Sequence, residues 1–399
     1  MISRQDKFGF YEVGPKLKFY SKLEAVEVSK KLNLPMRWVF NDSVYDSYDW
    51  TVEPTTTLAE LYKRRAQQLR EQYDHLILWY SGGADSANIL RSFVDNDIKL
   101  DEVLSFINYS VTRDKEHITN AEVFYVADPT IRKVQEKQPD LKYRVEDIAN
   151  VMADTYSDRT GIDWIYDLNG FITPHSLGKQ ELKLSIPEWK NMYEQGKKVC
   201  HIFGIDKPIV RHIGDKFMFH FWDRVDNAVT ARSQRLDRPW EYNELFYWTP
   251  DLPEIVIKQA HVIKRYLKTI RPEDFDQEIV NKEHKEWGPH ALTREWERGA
   301  RHVSIGDRAK ESYITYDKIH ELIYPGWYPV PYQIKTRGIV FSDKDDWFWT
   351  ATGNEQARTN HLTGLKELWL QMPDEFKRNT SDMSTGFKPT NSKAYNLGT

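Results

Sequence analysis

Apolar positions along the chain follow two rhythms. In Leu76–Tyr80 five consecutive residues are apolar, the pattern of a parallel strand covered on both faces. Val103–Ile107, Tyr143–Val145 and Val199–Phe203 read as further strands, and Phe217–Trp222 as the last strand of the same sheet. Between them the spacing changes to threes and fours. Ile89, Leu90 and Phe93 continue a helix after the first strand, and Ala121–Lys137 predicts another, with a break at Pro129. Ile148–Met152 and Ser185–Gly196, with Pro187 in its first turn, complete the alternation. Strands alternating with helices predict an α/β fold built on a parallel sheet.

The flanks read differently. Phe8–Phe19 alternates and is interrupted by Gly14-Pro15, so a hairpin is expected. Ala25, Val28 and Leu32 share one helical face behind a possible Ser21 cap, and Trp38–Phe40 is a short strand. Leu58, Leu61, Tyr62, Ala66 and Leu69 mark a helix over Thr57–Tyr73. Trp164–Gln180 is loop-rich, carrying Gly170, Pro174 and Gly178. From residue 225 the pattern is mainly helical. Val256, Ala260, Ile263, Leu267 and Ile270 define a core helix over Pro253–Ile270, and Thr363–Gln371 is another. Ile323–Tyr332, rich in proline and aromatic residues, predicts an extended, rigid segment that could cover a pocket or pack on the core. The tail 379–399 has too few apolar residues to fold alone. The expected organisation is an N-terminal α+β segment (1–73), an α/β domain (74–223), a mainly helical region (224–378) and a polar tail (379–399).

Composition narrows the function classes. A chain of 399 residues has room for two or three structural units and a substantial core. The single cysteine, Cys200, excludes an internal disulfide and points to a reducing, cytoplasmic compartment. No apolar run approaches transmembrane length, so no membrane partner is expected. A net charge of −4 offers no global field for nucleic acid. Locally, Lys282, Lys285, Arg294, Arg298, Arg301 and His302 are mixed with Glu295 and Glu297, which fits an exposed salt-bridged helix or an anionic-substrate surface.

The chemistry concentrates after the first strand, in Ser81-Gly82-Gly83-Ala84-Asp85-Ser86. Two consecutive glycines admit backbone dihedrals closed to other residues and bring N–H groups close to an anion. An anion at the start of the following helix also meets unpaired N–H groups and the positive end of the dipole. Asp85 and Ser86 stand where helix capping is favoured. The loop is neither a Walker A sequence nor Gly-x-Gly-x-x-Gly.

The pattern Ser-Gly-Gly-x-Asp-Ser resembles the signature of the PP-loop superfamily, the N-type ATP pyrophosphatases, which include the synthetase half of asparagine synthetase. The resemblance covers residues 76–95 and extends plausibly to 222. It implies a Rossmann-like sheet of the adenine nucleotide alpha hydrolase type, ATP and Mg2+ as cofactors, and transfer of an adenylyl group to a substrate with release of pyrophosphate. Ser81, Gly82, Gly83, Ala84, Asp85 and Ser86 would then hold pyrophosphate, with Asp85 also orienting magnesium. In related folds the end of the second strand contacts adenine or ribose, which makes Asn108 a candidate; a strand-terminating turn suits it equally. Gly204-Ile-Asp-Lys-Pro208 is similar to the end of a later strand facing the nucleotide: Asp206 is a candidate magnesium ligand and Lys207 a candidate phosphate partner, though Asp-Lys-Pro is also an ordinary turn. Arg211 and His212 lie just beyond.

What this implies is an ATP-dependent, AMP-forming ligase that activates a carboxylate, amide or carbonyl oxygen and passes it to an amine or ammonia, with a substrate the sequence does not identify. Residues 1–73 are too short for a glutaminase domain and carry no N-terminal cysteine nucleophile, so glutamine is not the expected ammonia source. Alternatives within the resemblance are modification of a nucleobase in tRNA or DNA, a phosphoadenylylsulfate reductase-like activity, and a catalytically silent nucleotide-binding module. The reductases use a cysteine near the C-terminus, and the residues after Cys200 contain none.

Overall fold

The computed structural model describes residues 3–399 except 118, 158–162, 171–175, 214, 236–239, 270–301, 306–311, 328–346, 382 and 384–385. Strands β1 (Phe10–Val13) and β2 (Leu17–Phe19) form the expected hairpin, and β3 (Met36–Val39) pairs antiparallel with β1 on its other side. The helix Lys22–Leu32 between them starts at Ser21, whose hydroxyl accepts a hydrogen bond from the Glu24 N–H. Helix Leu58–Gln72 is capped in the same way by Thr57 and buries Leu58, Leu61, Tyr62, Ala66 and Leu69, the face its spacing predicts. It also buries Arg65 completely, which spacing does not predict.

The chain then builds β4 (His75–Trp79), β5 (Glu102–Ile107), β6 (Lys142–Asp147), β7 (Val199–Phe203), β8 (Ile209–Ile213), β9 (Lys216–Trp222) and β10 (Glu241–Leu245). Five of these form one parallel sheet in the order β10-β7-β4-β5-β6. The fold is therefore α/β, with helices Ala84–Val94, Ala149–Ser157, Ser176–Ser185 and Pro187–Glu194 between its strands.

Strand β9 does not belong to this sheet, contrary to expectation. It is the centre of a second, antiparallel sheet, β13-β9-β8; β11 (His302–Ile305) and β12 (Ser312–Thr315) pair with each other, and β13 is Asn391–Asn396. The physical reason is visible in the burial of β9: Phe217, Phe219 and Phe221 are buried while Met218, His220 and Trp222 are half-buried. That period of two belongs to a sheet with one closely packed face. The strand that completes the parallel sheet is β10, inside the stretch expected to be mainly helical. The 379–399 tail is likewise not a loose end, because β13 pairs with β9 and Tyr395 stacks on Trp50 with ring centroids 4.4 Å apart.

Two local expectations also change. The helix entering at Ala121 is not broken at Pro129: a π-helical turn, Val123–Ala127, leads into Asp128–Gln135, so the proline falls in a first turn where its missing N–H is not needed. Trp164–Gln180 is more ordered than its glycines suggest, with a 3-10 turn at Asp163–Asp167 and a helix from Ser176. Gly178 lies inside that helix because a Cβ there would stand 2.6 Å from Met152 Cγ. Farther on, helices Glu254–Leu267, Tyr316–Ile323 and Glu355–Gln371 follow, so Ile323 ends a helix rather than opening an extended segment. Residues 328–332, Lys282, Lys285, Arg294, Glu295, Glu297, Arg298 and Arg301 lie outside the described residues. No helix among the described residues is long and apolar enough to cross a membrane.

Candidate functional site

In the parallel sheet the chain proceeds from β4 outward through β5 to β6 on one side, and from β7 outward to β10 on the other. The loops after β4 and β7 therefore diverge, and the crevice between them is where open α/β sheets bind ligands. These two loops are Ser81–Gly83 and Gly204–Lys207.

The first loop turns on Gly82, whose φ of +89° favours glycine; a Cβ there would also stand 3.2 Å from the Glu122 carbonyl oxygen. Gly83 is the N-cap of helix 84–94 and provides no side-chain cap, so Asp85 sits in the first turn rather than at the cap. The two serines lace the loop together. Ser81 Oγ accepts from the Gly83 N–H at 3.2 Å, and Ser86 Oγ accepts from the Ser81 N–H at 3.3 Å while donating to the Gly83 carbonyl at 3.1 Å. The Gly82 N–H makes no hydrogen bond among the described residues. Two of the loop's amides are thus held by hydroxyls of the loop itself.

The second loop comes very close to it. A Cβ on Gly204 would stand 3.1 Å from Asp85 Cβ and 3.3 Å from Ile89 Cδ1, so only glycine lets the end of β7 lie this near helix 84–94. Three positions on, the Lys207 ammonium pairs with Asp85 Oδ2. The lysine is 5 % exposed and its Nζ also lies 4.0 Å from Asp206 Oδ1. Asp206 is held in turn: its Oδ1 accepts from the Lys207 N–H at 2.7 Å, and its Oδ2 accepts from Trp222 Nε1 at 3.0 Å and from Arg224 at 3.4 Å. Asp85, Gly204, Asp206 and Lys207 are thereby brought together from segments more than 100 residues apart in sequence.

Two tyrosines escaped the sequence reading. Tyr324 Oη donates to Asp85 Oδ1 at 2.5 Å, and Tyr247 Oη donates to the Asp85 carbonyl at 2.7 Å while accepting from Asn88 Nδ2 at 3.0 Å. Burial, followed by the charge of Asp85, pushes the Tyr324 phenol well above its ordinary range, so it remains a donor. Tyr324 lies in the aromatic segment singled out as a pocket cover; Tyr247 follows β10 and carries no motif. Arg91 fixes that segment by donating to the Gly326 carbonyl at 2.8 Å.

Asn108 ends β5, beside β4. It is 1 % exposed, and its backbone N–H donates to Asn120 Oδ1 at 2.9 Å, yet neither atom of its side-chain amide has a hydrogen-bond partner among the described residues. A buried amide in that condition carries a desolvation cost of about 1–3 kcal/mol that a ligand would relieve. Arg211 and His212 lie on β8, and Arg211 Nε is buried without a hydrogen bond among the described residues. Cys200 is fully buried within β7, and burial pushes its thiol well above the ordinary value, which leaves it unreactive.

Among the described residues no group of three or more His, Cys, Asp or Glu side chains is placed to hold a metal ion. The crevice brings together one buried lysine, two carboxylates around it, and a glycine turn at a helix N-terminus. In comparisons with known proteins the chain matches no family model and no curated protein.

Proposed function

We propose that the protein is an ATP-dependent, AMP-forming ligase of the PP-loop type, its parallel sheet serving as an adenine nucleotide alpha hydrolase-like scaffold. The observation that supports this reading is the meeting of Lys207 with Asp85 beside the Ser81–Gly83 turn, at the point where strand order reverses. In the proposed reaction a carboxylate, amide or carbonyl oxygen of the substrate attacks the α-phosphorus of ATP and pyrophosphate leaves; an amine or ammonia then displaces AMP. Ser81 and Ser86 would turn their hydroxyls from the loop's own amides to the pyrophosphate, joined by the Gly82, Gly83 and Ala84 N–H groups. Lys207 would exchange Asp85 for phosphate oxygens and offset charge at the α-phosphate. Asp85 and Asp206 fit magnesium bound through one or two carboxylates together with phosphates, the usual protein contribution for this ion. The unsatisfied amide of Asn108 suits a nucleoside. A cytoplasmic location follows from the same reading.

The test is thermal denaturation with and without Mg·ATP, for the parent and for Asp85→Ala. Mg·ATP at 100 times its Kd should stabilise the parent by about 2.7 kcal/mol, leave Asp85→Ala unmoved, and yield AMP and pyrophosphate once substrate is supplied. A parent protein whose melting ignores Mg·ATP sinks the reading.

A further inference from the structure

Lys179 lies on helix 176–185 and is 7 % exposed. Its Nζ donates to Asn227 Oδ1 at 2.9 Å and stands 4.7 Å from the centroid of the Phe106 ring. Among the described residues it has no carboxylate partner. One helical turn on, Lys183 is equally buried but fully provided for: its Nζ donates to Gln180 Oε1, the Ala228 carbonyl and Asn243 Oδ1, and pairs with Glu241 Oε1 at 3.1 Å. Other carboxylates nearby are engaged elsewhere, as Asp226 accepts from the N–H groups of Asn169 and Gly170. The two lysines thus share one helix face, and Glu241 is paired with Lys183. Burial first, and the charge of Lys183 second, push the Lys179 amine down to about 7. Desolvation beside a second cation is how proteins keep a lysine uncharged and reactive.

Its position gives that amine a task. Phe106 is the next-to-last residue of β5, at the end of the strand that Asn108 follows. Since Trp79 pairs with Leu104, the loop residue Ser81 continues to the level of Phe106. Lys179 therefore stands at the end of the sheet that carries the loop.

Resting on the ligase reading, we propose that Lys179 is the base of the second half-reaction. The attacking amine nitrogen bonds to the acyl carbon, the carbon–oxygen bond to AMP breaks with its electron pair leaving on the phosphate, and the proton lost by nitrogen passes to Lys179 Nζ. The resulting ammonium returns the proton to water. Lys183, tied to Glu241, cannot replace it.

The experiment is competitive labelling of the full-length protein with trace acetic anhydride across pH, read by peptide mass spectrometry, with and without Mg·ATP. Lys179 should react as a free amine near pH 7, and Mg·ATP at ten times its Kd should slow its acetylation about tenfold. A purely structural buried lysine would react only through opening of the fold, so its acetylation would rise steeply with urea, whereas that of Lys179 should not depend on urea below the unfolding transition. Failure of Lys179 to react at any pH, titration together with the surface lysines, or a rate indifferent to Mg·ATP in a protein whose melting does respond to Mg·ATP overturns the proposal. Absence of that melting response instead removes the ligase reading on which it rests.

Discussion

Glu244 accepts from Lys7 Nζ at 2.6 Å and from Arg65 at 2.6 Å, with the Tyr73 hydroxyl on its other oxygen. Arg65 is wholly buried and Glu244 is 2 % exposed, so neither charge has water to fall back on. Glu244→Ala leaves the guanidinium with Asp251 at 3.5 Å and the Leu245 carbonyl at 3.3 Å. The expected cost is about 3–5 kcal/mol in urea denaturation. Burial pushes the Glu244 carboxyl up, but Lys7 and Arg65 outweigh it and hold the group below its ordinary value. Its contribution is then complete above the unfolded glutamate range near 4.5 and drains away as pH falls through the lower folded value. Glu244→Gln should therefore lose stability at neutral pH and show a shallower decline in acid than the parent. Equal acid limbs for the two proteins would contradict this.

Among the elements, helix 355–371 lies close against another segment at Gly364. A Cβ there would run into the indole of Trp164, whose Nε1 donates to the Asn360 carbonyl at 3.2 Å on the same helix. Gly364→Ala gains helix propensity worth about 1 kcal/mol but overpacks a fully buried ring, which typically costs about 1–3 kcal/mol. A net loss is expected in chemical denaturation; a gain would mean that the two segments separate freely. The sequence announced this helix only from Thr363, because the residues before it follow no clean stripe. Strands were legible where burial was two-faced and apolar, as in β4 and β7. Strand β10 was not, since Glu241, Asn243 and Glu244 look solvent-facing until Lys183, Lys7 and Arg65 are seen to satisfy them. For β9 the signal was present in its alternation and was overridden by its hydrophobicity. The loop residues, Asp206 and Lys207 were readable because glycine turns and strand ends have local signatures. Tyr247 and Tyr324 were not, because their approach to Asp85 depends on how distant segments pack.

At the scale of the whole molecule, the second sheet joins segments from far apart in the chain. Trp50 stacks against Phe219 at 5.2 Å and Tyr395 at 4.4 Å, while Phe221 meets Phe40, Tyr45 and Trp248. Tyr395→Ala removes the ring that holds β13 in this group and should cost about 3–5 kcal/mol. Near-ultraviolet circular dichroism should fall with it while the far-ultraviolet spectrum of the helices is retained; an unchanged near-ultraviolet band would show that the rings hold their arrangement without Tyr395. Asymmetric stacks of indole and phenol absorb where the peptide backbone does not. The protein therefore carries its own optical gauge, and the loosening of its packing can be followed separately from the loss of its backbone structure with no dye or label attached.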